Sequence, residues 1–201
     1  MKRIIQLVLL VVIVVLAYFL TTSIMTPITF KREYEKRKAV VVEKLKDIRT
    51  IQVHYKTAKG YFAESFDSLI DFYNNEQIKV VRQIGSMDDS LAVAEGRVKR
   101  DTISIPVKDT IFNHRENFNI NKIGDVPFVD AKFKLQTKMY MTPSRIEVPL
   151  FEASVHNNVF LSGLDAQEIV NLNDKQEKMN RFPGLKVGDV NQPNNNAGNW
   201  E

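Results

Sequence analysis

The chain has 201 residues, 28 basic and 24 acidic, for a net charge of +4. At about 100–200 residues per domain, that length allows one domain, or one small domain with a membrane segment. The absence of cysteine excludes disulfides, Cys-ligated zinc, a cysteine nucleophile and lipoprotein acylation.

Residues 1–38 hold seven basic and two acidic side chains, and the remainder hold 21 and 22. The basic excess therefore flanks one apolar run, and the rest of the chain is close to neutral. A nucleic-acid-binding domain needs a clustered basic face, so no nucleic-acid partner is expected.

The run is Ile4–Leu20, with Gln6 as its one polar side chain, and it continues to Met25. At 1.5 Å per residue, Ile4–Met25 spans roughly 33 Å as a helix, enough to cross a hydrocarbon core of about 30 Å. A cleaved signal peptide has a shorter apolar stretch and a small-residue cleavage site, so an uncleaved anchor fits better. Ile4, Leu10, Val14 and Leu20 are its representative lipid-facing positions. Gln6, close to Lys2 and Arg3, can reach the interface or hydrogen-bond to another helix in the membrane. Counting Lys and Arg on the two flanks favours a cytoplasmic body. A short basic N-terminus before a first apolar run is the ordinary start of an export signal, and on that ground the body is placed outside. The basic residues from Lys31 to Lys38 would then face lipid headgroups or pair with Glu33 and Glu35.

Pro27 is expected to kink or interrupt the helix. Beyond it, residues 31–59 read as an amphipathic helix. Val41, Leu45, Ile48, Ile51 and Tyr55 recur at spacings of three and four, which draws one apolar stripe. Gly60 is a natural terminator. A short helix follows over about 66–75, with Ser65 as its cap and Asp67 in its first turn. Strands are expected from residue 77 onward: around Ile78–Ile84, at Thr102–Val107 with Pro106 at an edge or end, at Phe128–Met139, and at Arg145–Val155. Residues 88–100, Val159–Leu164 and Glu168–Leu172 carry no clear period. The polar, Asn-rich tail 191–201 reads as mobile.

A striped helix must bury its stripe on something, and the strands that follow are the available partner. The expected class is α+β: a long N-terminal helix, transmembrane and then amphipathic, packed on a small, mainly antiparallel sheet. The expected organisation is an anchor over 1–28, an extracytoplasmic domain over 29–190 and a flexible tail.

Leu45 to Phe62 (LKDIRTIQVHYKTAKGYF), then Ser65-Phe66-Asp67-Ser68-Leu69, gives a helix ending in an aromatic, a Gly turn, a second aromatic and a short helix. With the apolar start and the proline near position 25, residues 4–73 resemble type IV pilins and type II secretion pseudopilins. That resemblance implies a pilin-like outline. The family's processing site, a Gly followed by Phe and then a Glu five residues in, has no counterpart here. Over its whole length the chain resembles a group of single-pass membrane proteins of Bacteroidales that share the segments FPGLKVGDV (182–190) and NNNAGNWE (194–201). This implies a bacterial envelope protein and carries no activity with it.

His54, His114 and His156 are not at metal-ligand spacing, and no H-E-x-x-H, Walker or G-x-S-x-G motif occurs. Asp88-Asp89 and Asn173-Asp174 read as carboxylate-bearing turns without EF-hand spacing. No metal, cofactor or small-molecule substrate is therefore expected. Trp200, on the flexible tail and with Phe182-Pro183-Gly184 before it, reads as a possible docking anchor. The sequence reading is a non-enzymatic, single-pass protein of the bacterial inner membrane with its body periplasmic. Its expected partners are membrane lipid and either other envelope proteins or itself. The alternatives are a tethered adaptor that does not polymerise and an anchored enzyme.

Overall fold

The computed structural model describes residues 2–84, 99–115 and 118–201. Its elements in chain order are the helices α1 (Lys2–Lys59) and α2 (Phe66–Asn75), strands β1 (Gln77–Ile84) and β2 (Lys99–Pro106), and a short helix α3 (Val107–Thr110). A 3-10 turn at Ile120–Lys122 and strands β3 (Lys134–Met141) and β4 (Glu147–His156) follow. The chain ends with α4 (Asn157–Phe160), α5 (Ala166–Lys178) and β5 (Gly184–Gly188). The class is α+β, a long N-terminal helix with two small antiparallel sheets.

Helix α1 passes through Pro27 without a break, which corrects the expected interruption. Proline removes one N–H donor from the helix ladder. Threonine hydroxyls on either side bond to nearby helix carbonyls: Thr22 to Tyr18 at 3.1 Å, Thr29 to Met25 at 3.0 Å and Thr29 to Thr26 at 2.9 Å. The helix ends at Gly60, whose φ of +87° suits a residue without Cβ and whose N–H reaches the Lys56 carbonyl at 2.8 Å. Ser65 caps α2, its hydroxyl accepting from the Ser68 N–H.

The strands form two sheets rather than one. β1 and β2 pair from Gln77↔Pro106 to Ile84↔Lys99. Pro106 ends β2 and begins α3, a place where a missing N–H costs no ladder bond. The second sheet has the order β3-β4-β5. β5 reaches only Glu152–His156 of β4, so Pro149 lies in the half of β4 that has a strand on one side alone. The expected strand from Phe128 begins only at Lys134. Phe128 has φ +73°, and an Asp125↔Lys132 bridge closes a turn there. Asn173-Asp174, read as a turn, lies within α5. Residues 85–98 lie outside the described residues, and with them the Asp88-Asp89 pair.

The core sits where α1 meets α2, β4 and β5. Tyr55 meets Phe72 with ring centroids 5.1 Å apart, and Phe62 meets Phe151 at 4.7 Å. β4 is buried on both faces from Leu150 to Val155.

Candidate functional site: the two halves of the long helix and what docks on them

The first third of α1, through Leu20, is exposed along its whole length. Ile4, Leu10, Val14 and Leu20 are all exposed, as is Gln6. An 18-residue window has mean hydropathy 2.9 and no buried residue. In water that exposed apolar surface would cost about 25 cal/mol per Å². The chain has one N-terminal helix long and apolar enough to span a membrane.

The upper half is the reverse. Val41, Leu45, Ile48 and Ile51 are 0% exposed and Tyr55 is 9% exposed. Each large aliphatic side chain buried this way contributes about 1.5–3 kcal/mol. The stripe faces the chain's own body, so in this fold it is core and not a free docking face.

The basic segment between the two halves divides its work. Lys36 lies 3.9 Å from Glu33 and Lys38 lies 3.7 Å from Glu35, the helical pairs expected. Arg37 instead turns to the body. Its guanidinium donates to the carbonyls of Phe160 and Ser162, both at 3.0 Å, and stacks 5.5 Å above the Phe128 ring. It ties the start of the upper half to α4 and takes no part in a headgroup collar.

Two polar residues within the buried face were not singled out by the apolar pattern. Asp47 is 4% exposed. Arg115 donates to its carboxylate at 2.9 Å and lies 3.2 Å from Glu43, one turn earlier. Burial raises the Asp47 pKa, and the Arg115 hydrogen bond opposes that rise without cancelling it. Gln52 is fully buried and bonds through both ends of its amide to the backbone of Ala63. Only the alternation of donors and acceptors across the whole chain could have marked these residues, because their partners lie in other segments.

The tail is placed rather than mobile. The Gly188 N–H donates to the Ala197 carbonyl at 3.0 Å, and a bridge joins Val187 to Gly198. The Asn199 side chain accepts from the Lys186 N–H at 3.1 Å and donates to the Gly184 carbonyl at 2.9 Å. The tail thus covers the outer edge of β5 as a short added strand. Arg49 of α1 holds its end, donating to the Asn196 carbonyl at 3.3 Å and to the Glu201 carboxylate at 2.6 Å. The Arg49 bond keeps the Glu201 carboxyl below the ordinary glutamate range. Trp200 folds back over Gly198 and packs on the body's own core, which corrects its reading as an anchor on a free arm. Composition suggested mobility because Asn is polar; here the Asn side chains satisfy backbone groups that an edge strand leaves open.

Lys186 sits between Glu152 at 3.2 Å and Asp189 at 2.9 Å. Burial alone would lower the Lys186 pKa, but the two carboxylates carry it above the ordinary lysine value. His54 is half-buried and burial lowers its pKa. His156 accepts from the Asn158 N–H at the start of α4. Comparison with protein-family models, curated proteins and solved structures finds no match to this chain.

Proposed function

We propose that the protein is a non-enzymatic, single-pass component of a bacterial envelope assembly, pilin- or pseudopilin-like in outline. Ile4–Met25 anchors it in the inner membrane, with the N-terminus in the cytoplasm and the body in the periplasm. The observation that supports this reading is the division of one continuous helix. Its first third is apolar and exposed, and one stripe of its upper half is buried as the spine of a folded body. Such a chain has the form of a fixed post that carries a surface. The titratable groups with displaced pKa values that are paired tie one segment of the body to another or close a turn: Asp47 with Arg115, Lys59 with Glu76, Lys186 with Asp189, Glu201 with Arg49.

The chain has no cysteine, so single cysteines report cleanly. Gln6 is exposed on the membrane half, and Val40 is exposed beside the buried stripe. Cysteines at these positions are expected to cross-link in native membranes, to a second copy or to another envelope protein. Absence of any adduct at both sites overturns the assembly reading. A reporter fused after residue 201 checks the orientation.

A second reading, a tethered adaptor, is favoured by one feature at the far end of α1. A recess of about 540 Å³ there is lined by Tyr61, Phe62, Met139, Pro149 and Leu150. Tyr61 and Met139 are both exposed beside it. Exposed apolar patches of this kind mark protein contacts. If Tyr61→Ser with Met139→Ser abolishes capture of envelope proteins and leaves self-cross-linking intact, the adaptor reading is the better one.

A further inference from the structure

The packed body begins close to where the apolar run of α1 ends. Phe30 and Tyr34 are half-buried and pack against the body's core. Tyr34 meets the Phe160 ring with centroids 6.5 Å apart, and Arg37 donates to the carbonyls of Phe160 and Ser162, both at 3.0 Å. Lower on the helix, a hollow of about 400 Å³ has Pro27, Phe30 and Lys31 on one side and Glu168, Asn171 and Leu172 on the other. The first turn of α5 therefore stands beside Pro27 and Phe30.

Heights follow from the helix rise. With Met25 at the edge of the hydrocarbon, Pro27, Phe30 and Lys31 stand roughly 3, 8 and 9 Å beyond it. A bilayer of about 40–45 Å with a hydrocarbon core of about 30 Å leaves a headgroup layer of about 5–8 Å on each side. Pro27 and Phe30 thus lie within that layer or at its outer edge, and α5 begins at the same level. A body raised on a stalk would leave several clear turns of α1 below its first packed residue. Here the interval from Met25 to Phe30 is about one and a half turns.

We infer that the body rests on the leaflet: the turn between α4 and α5, with the first turn of α5, is a second membrane contact, fitted to a zwitterionic headgroup layer. The inference rests on the reading of α1 as a membrane anchor. Ser162, Gly163, Asp165, Ala166 and Gln167 are exposed there. They are small or polar, so this surface meets headgroups and does not enter the hydrocarbon. The charges at this level are of both signs, Lys31 and Arg32 on α1 and Asp165 and Glu168 at the start of α5. Lys31 and Glu168 line one hollow and form no ion pair with any described residue. A layer that offers both phosphate and ammonium groups matches such a surface, whereas a purely anionic one meets its carboxylates unfavourably.

Depth-dependent quenching tests the contact. Single cysteines replace Gln167 at the start of α5, Tyr61 beyond the far end of α1 and Val14 in the apolar run. All three positions are exposed, and far-ultraviolet circular dichroism checks that each variant keeps the fold. The full-length variants are labelled with a nitrobenzoxadiazole fluorophore and placed in phosphatidylcholine nanodiscs. The quencher is phosphatidylcholine with a nitroxide on either its headgroup or its acyl chain. The headgroup nitroxide is expected to remove most of the emission at Gln167 and none at Tyr61, with no change when phosphatidylglycerol is added. Equal quenching at Gln167 and Tyr61 overturns the proposal, as does quenching at Gln167 that appears only with phosphatidylglycerol. Val14 separates the two readings. Loss of its emission to the chain nitroxide, with none lost at Gln167 to the headgroup nitroxide, overturns the second contact alone. No loss at Val14 overturns the anchor, and the second contact with it.

Discussion

The Gln52 amide donates to the Ala63 carbonyl and accepts from the Ala63 N–H, each at 2.9 Å, with both partners buried. This exchange fixes the turn after α1 back onto the helix, eleven residues upstream. Gln52→Leu would leave two buried backbone groups unpaired, at a cost of about 2–4 kcal/mol. Urea denaturation of the full chain in detergent, followed by circular dichroism, checks it. Stability within error of the parent would show that water replaces the amide.

The stripe and the face beside it should respond differently to truncation. Leu45 is fully buried and Val40 is 38% exposed. Leu45→Ala is expected to cost about 2–5 kcal/mol through lost burial and a cavity. Val40→Ala should stay within about 0.5 kcal/mol. Comparable midpoints for the two variants would mean that α1 does not pack on this face.

Asp47 links stability to pH. Its folded pKa is raised by burial above the unfolded value, against the pull of Arg115. The sign follows: its contribution is fully present below the ordinary carboxylate range and declines as pH rises through the raised value. Arg115 is one-third exposed, so breaking the pair should cost less than a fully buried one, about 2 kcal/mol for Arg115→Met near neutrality. Asp47→Asn in that background should recover most of it. A double variant no more stable than Arg115→Met alone would contradict the assignment.

The tail latch has the opposite dependence. Arg49 lowers the Glu201 pKa, so the contact is complete above the ordinary glutamate range and is lost as pH falls through the lowered value. Trp200 emission should shift to the red on acidification, and Arg49→Gln should remove that shift. Gly198→Val should produce the red-shifted state at neutral pH, because a side chain there runs into the Trp200 ring. A Gly198→Val protein with parental emission would place the tail elsewhere.

What the amino-acid order made visible was whatever depends on near neighbours. The spacing of Val41, Leu45, Ile48, Ile51 and Tyr55 predicts the buried face of α1, Gly60 its end and Ser65 the next beginning, since each is decided within a turn or two. β2 was visible from the alternation over Thr102–Val107. What stayed hidden depends on distant partners. Nothing near Asp47 or Gln52 announces Arg115 or Ala63. The tail's polarity looks like mobility until Lys186 and Gly184 are seen to need the groups that Asn199 offers. Phe128–Met139 reads as strand because Ala131, Phe133 and Leu135 alternate with Lys132, Lys134 and Gln136, yet the positive φ at Phe128 makes a turn and the strand starts at Lys134. α5 escaped because its buried Ile169 and Asn173 mix apolar with polar, with Asn157 bonded to Asn173 at 2.8 Å beneath it.

The unbroken passage of α1 through Pro27 makes the protein a lever. From Met25 to Lys59 the chain stays helical and rises roughly 51 Å, at 1.5 Å per residue. Tilts of transmembrane helices range up to about 40°, and a change of only about 10° would carry the far end sideways by about 9 Å. The recess beside Tyr61 lies at that end. With the apolar half of α1 in a membrane, as proposed above, bilayer thickness or a neighbour leaning on that half would be converted into displacement at the tip.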